Sequence, residues 1–246
     1  MTLKGRQVLI TGGGTGVGAA LATAFAGAGA SVIVSGRRAE PLEKVAATSD
    51  AIRAIPADVT DETSVAALFE AAGPVDIVIA NAGASESAPL GKTTLEAWER
   101  MIAVNLTGTF LTLRAGLRQM QGWGRLIGVA STAGLKGYAY VAPYTAAKHG
   151  AVGLIRAIAQ EVAQRDITAN ALCPGFLDTE MTERSIANIV DKTGMDADKA
   201  RASLTRHNPQ KRLIRPDEVA AAALWLCGPG SEGINGQAIP IAGGEI

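Results

Sequence analysis

The chain is poor in cysteine, histidine and aromatic residues. It has two cysteines and two histidines in 246 residues, and Phe, Trp and Tyr together make up 4%. Cys173 and Cys227 are too few for a disulfide framework or a zinc site, so we expect no metal centre. Both lie in apolar stretches, which suits buried thiols in a reducing compartment.

The sequence also lacks an excess of charge and a long apolar run. Lys plus Arg and Asp plus Glu each number 23, so the formal net charge is zero. This balance predicts neither nucleic acid nor an anionic membrane as partner. No apolar run reaches the length of a membrane span, and the first residues do not resemble a signal peptide. We therefore expect a cytoplasmic protein that forms a single domain over residues 1–246.

Short apolar strands alternate with helical segments along the whole chain. The helical patterns include a long one over 94–119 and another over 144–161. Most of the strands are almost continuously apolar, which is typical of parallel strands buried on both faces. The sequence thus predicts an α/β fold, a single doubly wound (Rossmann-type) parallel sheet with helices on both faces. Strands are predicted at 7–10, 31–35, 52–59, 75–80, 125–130, 168–173 and 237–241.

A glycine-rich turn, Thr11–Gly18, follows the first strand and precedes an alanine-rich helix to about Ala28. Glycine lets backbone approach a pyrophosphate, and a helix N-terminus offers free N–H groups to it. The spacing of Gly12, Gly16 and Gly18 differs from the common G-x-G-x-x-G pattern, so a tight turn without ligand is the alternative. The position between strand and helix favours nucleotide binding.

The end of the second strand indicates which nucleotide binds. An acidic residue there would hold a ribose 2′-hydroxyl, whereas arginine accommodates a 2′-phosphate. Gly36 is followed by Arg37 and Arg38, which predicts NADP(H) rather than NAD(H). The alternative is a solvated turn with surface arginines. Asp58 ends the third strand, where it meets the adenine amine or caps the following helix.

Tyr144 and Lys148 stand four residues apart at the start of a helical pattern, thirteen residues after Ser131. That spacing also occurs in ordinary surface pairs. A cation one turn from a phenol favours the phenolate, so we expect Lys148 to lower the pKa of Tyr144 from about 10. Tyr144 is then a candidate acid or base near neutral pH. Asn105 lies inside a predicted helix, where an amide is unusual unless it has other hydrogen bonds to make.

The stretch over 176–212 is polar and interrupted by Gly194 and Pro209, which predicts a lid. Its cations could meet a phosphate on the substrate, but they alternate with acids, which favours a solvated helix face. These cations are Arg184, Lys192, Lys199, Arg201, Arg206, Lys211 and Arg212.

Taken together and in this order, the motifs resemble the short-chain dehydrogenase/reductase family, in its compact ketoreductase branch. The resemblance spans essentially the whole chain. It implies that Tyr144 exchanges a proton with the substrate, Ser131 binds the substrate oxygen, Lys148 assists Tyr144 and binds the nicotinamide ribose, and Asn105 holds a relay water. It also implies a cofactor site made of Gly12, Gly14, Thr15, Gly16, Val17, Gly18, Arg37, Arg38, Asp58, Val59, Asn81, Ala82, Gly83, Tyr144, Lys148, Pro174, Gly175 and Thr179.

The resemblance implies an NADP(H)-dependent enzyme that interconverts a ketone and a secondary alcohol. The expected substrate is a 3-oxoacyl thioester or a small cyclic or aromatic ketone. A cofactor-binding regulator without catalysis is the alternative, although such proteins break the catalytic set that is intact here. A nucleotide-sugar epimerase would need a longer chain. Relatives pair through the helices around 94–119 and 146–161, which predicts a homotetramer or a homodimer.

Overall fold

Seven strands form one parallel sheet, as the sequence predicted. The computed structural model describes residues 2–246. The strands are β1 Gln7–Thr11, β2 Ser31–Gly36, β3 Ile52–Pro56, β4 Ile77–Ala80, β5 Gly124–Val129, β6 Ile167–Pro174 and β7 Ala238–Ile241. They lie in the order β3-β2-β1-β4-β5-β6-β7, and every neighbouring pair is parallel.

Helices connect the strands and cover the sheet. In the part of the chain that the structure describes, nine are α-helices: α1 Gly16–Gly27, α2 Ala39–Ala46, α3 Glu62–Ala72, α4 Leu95–Ile102, α5 Gly108–Gln119, α6 Ala142–Glu161, α7 Glu180–Thr193, α8 Ala197–Thr205 and α9 Pro216–Leu226. Among the described residues, none of these helices combines the length and the apolar character that a membrane crossing needs.

Two apolar cores lie on opposite faces of the sheet, because successive side chains of a strand point to opposite sides. In β1, Val8 and Ile10 pack with α1, α2 and α9, whereas Leu9 packs with α3, α5 and α6. All four residues of β4 and all six of β5 are buried. The continuous apolar runs in the sequence therefore predicted correctly a sheet covered on both faces.

The strand order reverses between β1 and β4, since β1 leads outward to β2 on one side and β4 leads to β5 on the other. Connections leave the carboxyl ends of β1 and β4 in opposite directions, which opens a crevice where doubly wound sheets bind ligands. The predicted nucleotide turn and the segment after β4 both lie at this point.

Some predicted boundaries were wrong by a few residues. Strand β3 ends at Pro56 instead of residue 59, so Asp58 lies in the loop that follows. Helix α6 begins at Ala142 instead of Tyr144, because Pro143 fits the first turn of a helix, where its missing N–H costs no hydrogen bond. Tyr144 therefore lies inside the first turn.

The predicted helix over 94–119 is one helical segment with an interruption. Between α4 and α5, residues Ala103–Thr107 form a π-helical turn, which contains one more residue than an α-helical turn. Leu113 is fully buried, but Trp98 and Phe110 are 39% and 38% exposed, so of these three only Leu113 belongs to the core.

Candidate active site

Ser131 and Tyr144 meet at the carboxyl end of β5. Ser131 follows this strand by two residues, and its Oγ accepts a hydrogen bond of 3.1 Å from the N–H of Ala133. The same Oγ lies 3.5 Å from the carbonyl oxygen of Pro174, at the end of β6. The side chain of Ser131 also lies close to the phenol of Tyr144. Two hydroxyl groups therefore converge where a substrate oxygen can be bound.

Lys148 lies one turn after Tyr144 on α6 and is almost completely buried. Its Nζ donates a 2.8 Å hydrogen bond to the carbonyl oxygen of Val129, the last residue of β5. Burial lowers the pKa of this ammonium group to about 8, because removal from water disfavours the charged form. This hydrogen bond links α6 to the end of β5, two residues before Ser131.

The predicted effect of Lys148 on Tyr144 was wrong for this structure. Burial raises the pKa of Tyr144 above its ordinary value, and only the nearby side chain of Ser131 acts in the opposite direction. The ammonium group of Lys148 lies 5.6 Å from the centroid of the Tyr144 ring and is hydrogen-bonded to Val129. It therefore lies over the ring of Tyr144, and its charge is itself disfavoured by burial.

Asn105 lies in the π-helical turn and is completely buried. Its side-chain Nδ2 donates to the carbonyl oxygens of Ala84 at 2.9 Å and Met101 at 3.1 Å, and its Oδ1 accepts from the N–H of Ala84 at 3.3 Å. A methyl group on Gly83 would lie 2.9 Å from Asn105 Oδ1 and 3.6 Å from Lys148 Nζ. Asn105 and Lys148 thus converge at Gly83, where the segment after β4 passes the catalytic candidates.

The glycine-rich turn is packed too tightly for side chains. Gly12 has a φ of +65°, and a methyl group on it would lie 2.8 Å from Ala82 Cα. Thr15 precedes α1, but its side chain makes no capping hydrogen bond there. The first N–H groups of α1 therefore remain free to bind a phosphate. This cradle fits the pyrophosphate of a dinucleotide.

Thr179 lies against the same turn, although it is far away in the sequence. A methyl group on Gly16 would lie 3.3 Å from Thr179 Cγ2. Gly175, after β6, donates its N–H to the carbonyl oxygen of Ile241 at 3.0 Å, which holds the end of β6 beside β7. The segment from Pro174 to Thr179 therefore runs from Ser131 to the glycine turn.

A cleft of about 400 Å³ lies at the crevice between β1 and β4. It is lined by predicted cofactor residues, namely Gly12, Gly14, Thr15, Arg37, Arg38, Asp58, Val59, Ala82 and Gly83. Gly36, Pro41, Leu42, Ala57 and Val104 complete the lining. Ala57 and Val104 are direct neighbours of the predicted residues Asp58 and Asn105, whereas no sequence signal marks Pro41 or Leu42.

Arg37 and Arg38 are both exposed at the mouth of this cleft. Within residues 2–246 neither guanidinium lies within 4.0 Å of a carboxylate oxygen. Arg37 is close enough to Asp58 for its charge to help lower the pKa of that carboxyl group.

Asp58 does not cap the following helix. Its carboxylate accepts hydrogen bonds from the N–H and hydroxyl of Thr60, at 2.9 and 2.8 Å, and these bonds lower its pKa. The cap of α3 is Asp61, which accepts from the N–H of Thr63. The predicted capping role of Asp58 was therefore wrong. Asp58 lines the cleft, and its contact with the adenine amine stays a prediction.

Asn81 holds two backbone segments together. Its Nδ2 donates to the carbonyl oxygens of Thr11 at 3.0 Å and Gly12 at 3.1 Å, so β4 is tied to the glycine turn. Ala82 and Gly83, the next two residues, line the cleft. The amide of Asn81 therefore holds the glycine turn in place but is not part of the cleft lining.

The segment over 176–212 contains α7 and α8, and Gly194 ends α7 in the left-handed conformation. Its cations mostly contact carboxylates or backbone: Arg201 pairs with Glu183, Lys199 with Asp196 and Arg212 with Glu218. This agrees with a solvated, self-paired helix face. Among the described residues, no group of three or more His, Cys, Asp or Glu side chains is arranged to hold a metal ion.

Comparison with known proteins decides the family. The model of the short chain dehydrogenase family matches residues 6–189. The chain is a short-chain dehydrogenase/reductase. The MabA protein of Mycobacterium tuberculosis, a 3-oxoacyl-[acyl-carrier-protein] reductase, is 34% identical over 97% of this chain and 92% of its own length. The D-beta-hydroxybutyrate dehydrogenase of Cupriavidus necator is 34% identical over 99% of both chains.

A solved structure is similar over the whole length of this short-chain dehydrogenase/reductase. A variant of actinorhodin polyketide ketoreductase crystallised with NADPH superposes with a TM-score of 0.90, at 32% identity, covering 100% of this chain and 99% of that one. The resemblance drawn from the sequence motifs is thereby confirmed at the level of family and fold.

Proposed function

We propose that this short-chain dehydrogenase/reductase is an NADP(H)-dependent ketoreductase. The observation that carries the proposal is the meeting of Ser131, Tyr144 and Lys148 at the end of β5, beside a cleft that fits a dinucleotide. The reaction interconverts a ketone and a secondary alcohol. The names of the ketoreductase relatives support this reaction type.

In this proposal Tyr144 and Ser131 act on the substrate oxygen, and Lys148 and Asn105 support them. Tyr144 donates its phenolic proton to the oxygen in the direction of reduction, and Ser131 donates a hydrogen bond that stabilises the developing negative charge. Lys148 and Asn105 place two polar groups at Gly83, and Lys148 also lies over the ring of Tyr144. Bound NADPH would supply a hydride to the carbonyl carbon.

The cofactor fits the residues that are present. The free N–H groups of α1 face the position of a pyrophosphate, and a side chain at Gly12 would fill the cradle. Arg37 and Arg38 are exposed at the mouth of the cleft, and within residues 2–246 neither has a carboxylate oxygen within 4.0 Å, which suits a ribose 2′-phosphate. The expected result is a higher kcat/KM with NADPH than with NADH on one ketone. Equal or better activity with NADH would contradict the assignment.

The proposed substrate is a 3-oxoacyl thioester or a small cyclic or aromatic ketone. The polar segment over 176–212 is proposed to close over it as a lid. Initial rates with NADPH on a panel of such ketones and thioesters test the proposal, and a lack of turnover on every member would contradict it. A regulator without catalysis is not favoured, because the structure brings the residues of the catalytic set together.

We also propose that the protein self-associates, as a homotetramer or a homodimer. Leu95, Trp98 and Phe110 are large apolar side chains exposed on α4 and α5, next to α6. A second copy would cover them. Sedimentation at micromolar concentration tests the proposal, since a monomer would contradict it. The buried free thiols of Cys173 and Cys227 suit a reducing cytoplasm, which is the proposed location.

A further inference from the structure

A buried carboxylate lies against the loop that connects Ser131 to helix α6. Glu245 follows β7, and its side chain is only 3% exposed. Its Oε1 lies 2.9 Å from Lys136 Nζ and accepts a 2.7 Å hydrogen bond from the hydroxyl of Tyr138. Lys136 is the one charged residue of the loop over 132–141, which connects Ser131 to helix α6. The charge of this loop is therefore already paired with Glu245.

Contacts from this cluster lead directly to the catalytic candidates. The hydroxyl of Tyr138 also lies 2.7 Å from the hydroxyl of Thr132, the residue after Ser131. Burial raises the pKa of Tyr138 above its ordinary range, and both Glu245 and Tyr144 raise it further. A methyl group on Gly175 would lie 3.5 Å from Glu245 Oε2, so this oxygen faces the segment that follows Pro174.

A separate surface cavity, next to the segment that follows Gly175, is also acidic. A cavity of about 610 Å³ is lined by Asp178, Glu180 and Glu183, and by Thr179. Arg184 is the single cation in this lining. A substrate carboxylate that came near Thr132 and Tyr138 would find Lys136 already bound to Glu245. Like charges brought together in a partly buried site are strongly disfavoured.

We propose that Glu245 is a specificity-determining residue: by occupying Lys136, it makes the substrate site accept neutral ketones and reject oxo acids with a free carboxylate. The inference rests on the proposed ketoreductase function and narrows its substrate class to esters, thioesters and uncharged ketones. This substrate class differs from that of the relative named D-beta-hydroxybutyrate dehydrogenase, because hydroxybutyrate carries a free carboxylate.

The test compares 3-oxobutanoate with its ethyl ester, which presents the same reacting ketone without the charge. The wild type is expected to prefer the ester in kcat/KM by at least about tenfold, as a like-charge contact predicts. Glu245→Gln keeps the size of the side chain and an acceptor for Tyr138 but frees the cation of Lys136. This variant is expected to lower the ester preference by about tenfold, through the KM of the acid.

Lys136→Gln breaks the same ion pair from the other side and leaves Glu245 without its cation. It is expected to raise the ester preference further. If the ion pair had a purely structural role, both variants would change the ester-to-acid ratio of kcat/KM in the same direction. Changes in opposite directions therefore identify an effect of charge. Asp50→Asn removes an exposed carboxylate before β3, at the amino-terminal edge of the sheet, and is the control that should leave the ratio unchanged.

Thermal unfolding and NADPH binding of each variant are measured first, so that a folding defect is recognised. An ester preference that does not change, or that changes in the same direction in both variants, overturns the inference alone. Reduction of 3-oxobutanoate by the wild type as efficiently as of its ethyl ester also overturns the inference alone. If the wild type turns over neither compound and no ketone in the panel, the proposed function is overturned, and this inference with it.

Discussion

Gly18 and Gly12 approach so closely that a methyl group on Gly18 would lie 2.0 Å from the carbonyl oxygen of Gly12. Gly18 belongs to the first turn of α1, and Gly12 follows β1. The close approach brings the start of the helix against the backbone of the turn. It therefore sets the position of the N–H groups that we propose bind the pyrophosphate.

Gly18→Ala is expected to destabilise the protein and to weaken NADPH binding. Forced overpacking of this kind costs about 1–3 kcal/mol. Gly27→Ala is the matched control, because it lies in the same helix and a methyl group there meets no atom within 4 Å. It should gain about 0.5–1 kcal/mol, since alanine loses less entropy in a helix. Urea unfolding and fluorescence titration with NADPH measure both effects, and equal behaviour of the two variants would contradict the steric argument.

Tyr144→Phe is expected to abolish turnover and to leave NADPH binding nearly unchanged. General acid catalysis contributes about 10²–10⁴-fold, and the phenol is the proposed proton donor. Tyr140→Phe makes the same chemical change four residues earlier, at an exposed ring, and should retain most of the activity. If Tyr144→Phe keeps more than a tenth of the wild-type kcat, the assignment of Tyr144 is wrong.

Lys148→Met is expected to change how stability depends on pH. Burial lowers the pKa of Lys148 to about 8, below the value of about 10.4 in an unfolded chain. Between about pH 8 and pH 10.4 the unfolded state binds more protons than the folded state. The free energy of unfolding of the wild type therefore increases as the pH rises through this range. Below pH 8 both states are charged, and the cost of burying the ammonium group is fully present.

The difference in unfolding free energy between the wild type and Lys148→Met should therefore shift by about 3 kcal/mol in favour of the wild type from pH 8 to 10.5. Urea unfolding of both proteins at several pH values measures it. Burial raises the pKa of Cys173 to about 11, so its thiol stays largely protonated in both folded proteins over this pH range. A difference that stays constant across this range would show that Lys148 is not significantly desolvated.

Gly36→Asp combined with Arg37→Ile is expected to reverse the cofactor preference. The aspartate would repel a 2′-phosphate and accept a hydrogen bond from a 2′-hydroxyl, and the nearest atom to a methyl group at Gly36 is Leu42 Cδ2 at 3.8 Å. A charge-assisted contact contributes about 1.5–3 kcal/mol, which is roughly ten- to a hundredfold in affinity. The measurement is kcat/KM for NADPH and NADH on one ketone.

Single variants assign the phosphate contact to one arginine. Arg37→Ala should lower NADPH affinity more than Arg38→Ala, because Arg37 is the one whose charge acts on Asp58 in the cleft. In the wild type, salt should weaken NADPH binding more steeply than NADH binding, since the extra contact is ionic. The reverse order of the two variants would place the contact at Arg38.

The sequence by itself determined the fold class, the order of the elements and the position of the glycine turn. These features are encoded locally: apolar runs identify strands buried on both faces, and glycines with a following helix identify a phosphate cradle. Ser131 and Tyr144 could be paired in advance for the same reason, because one follows a strand and the other begins the next helix.

Only the tertiary structure decided which distant groups meet and how burial acts on them. It brought Glu245 against Lys136 and Tyr138, put Thr179 beside Gly16 and turned the amide of Asn81 onto the glycine turn. It also reversed the expected direction of the pKa of Tyr144, because the loss of water around the phenol outweighs a cation that faces its ring. Spacing along a helix predicts that two side chains are neighbours, but their exposure and orientation depend on every element packed around them.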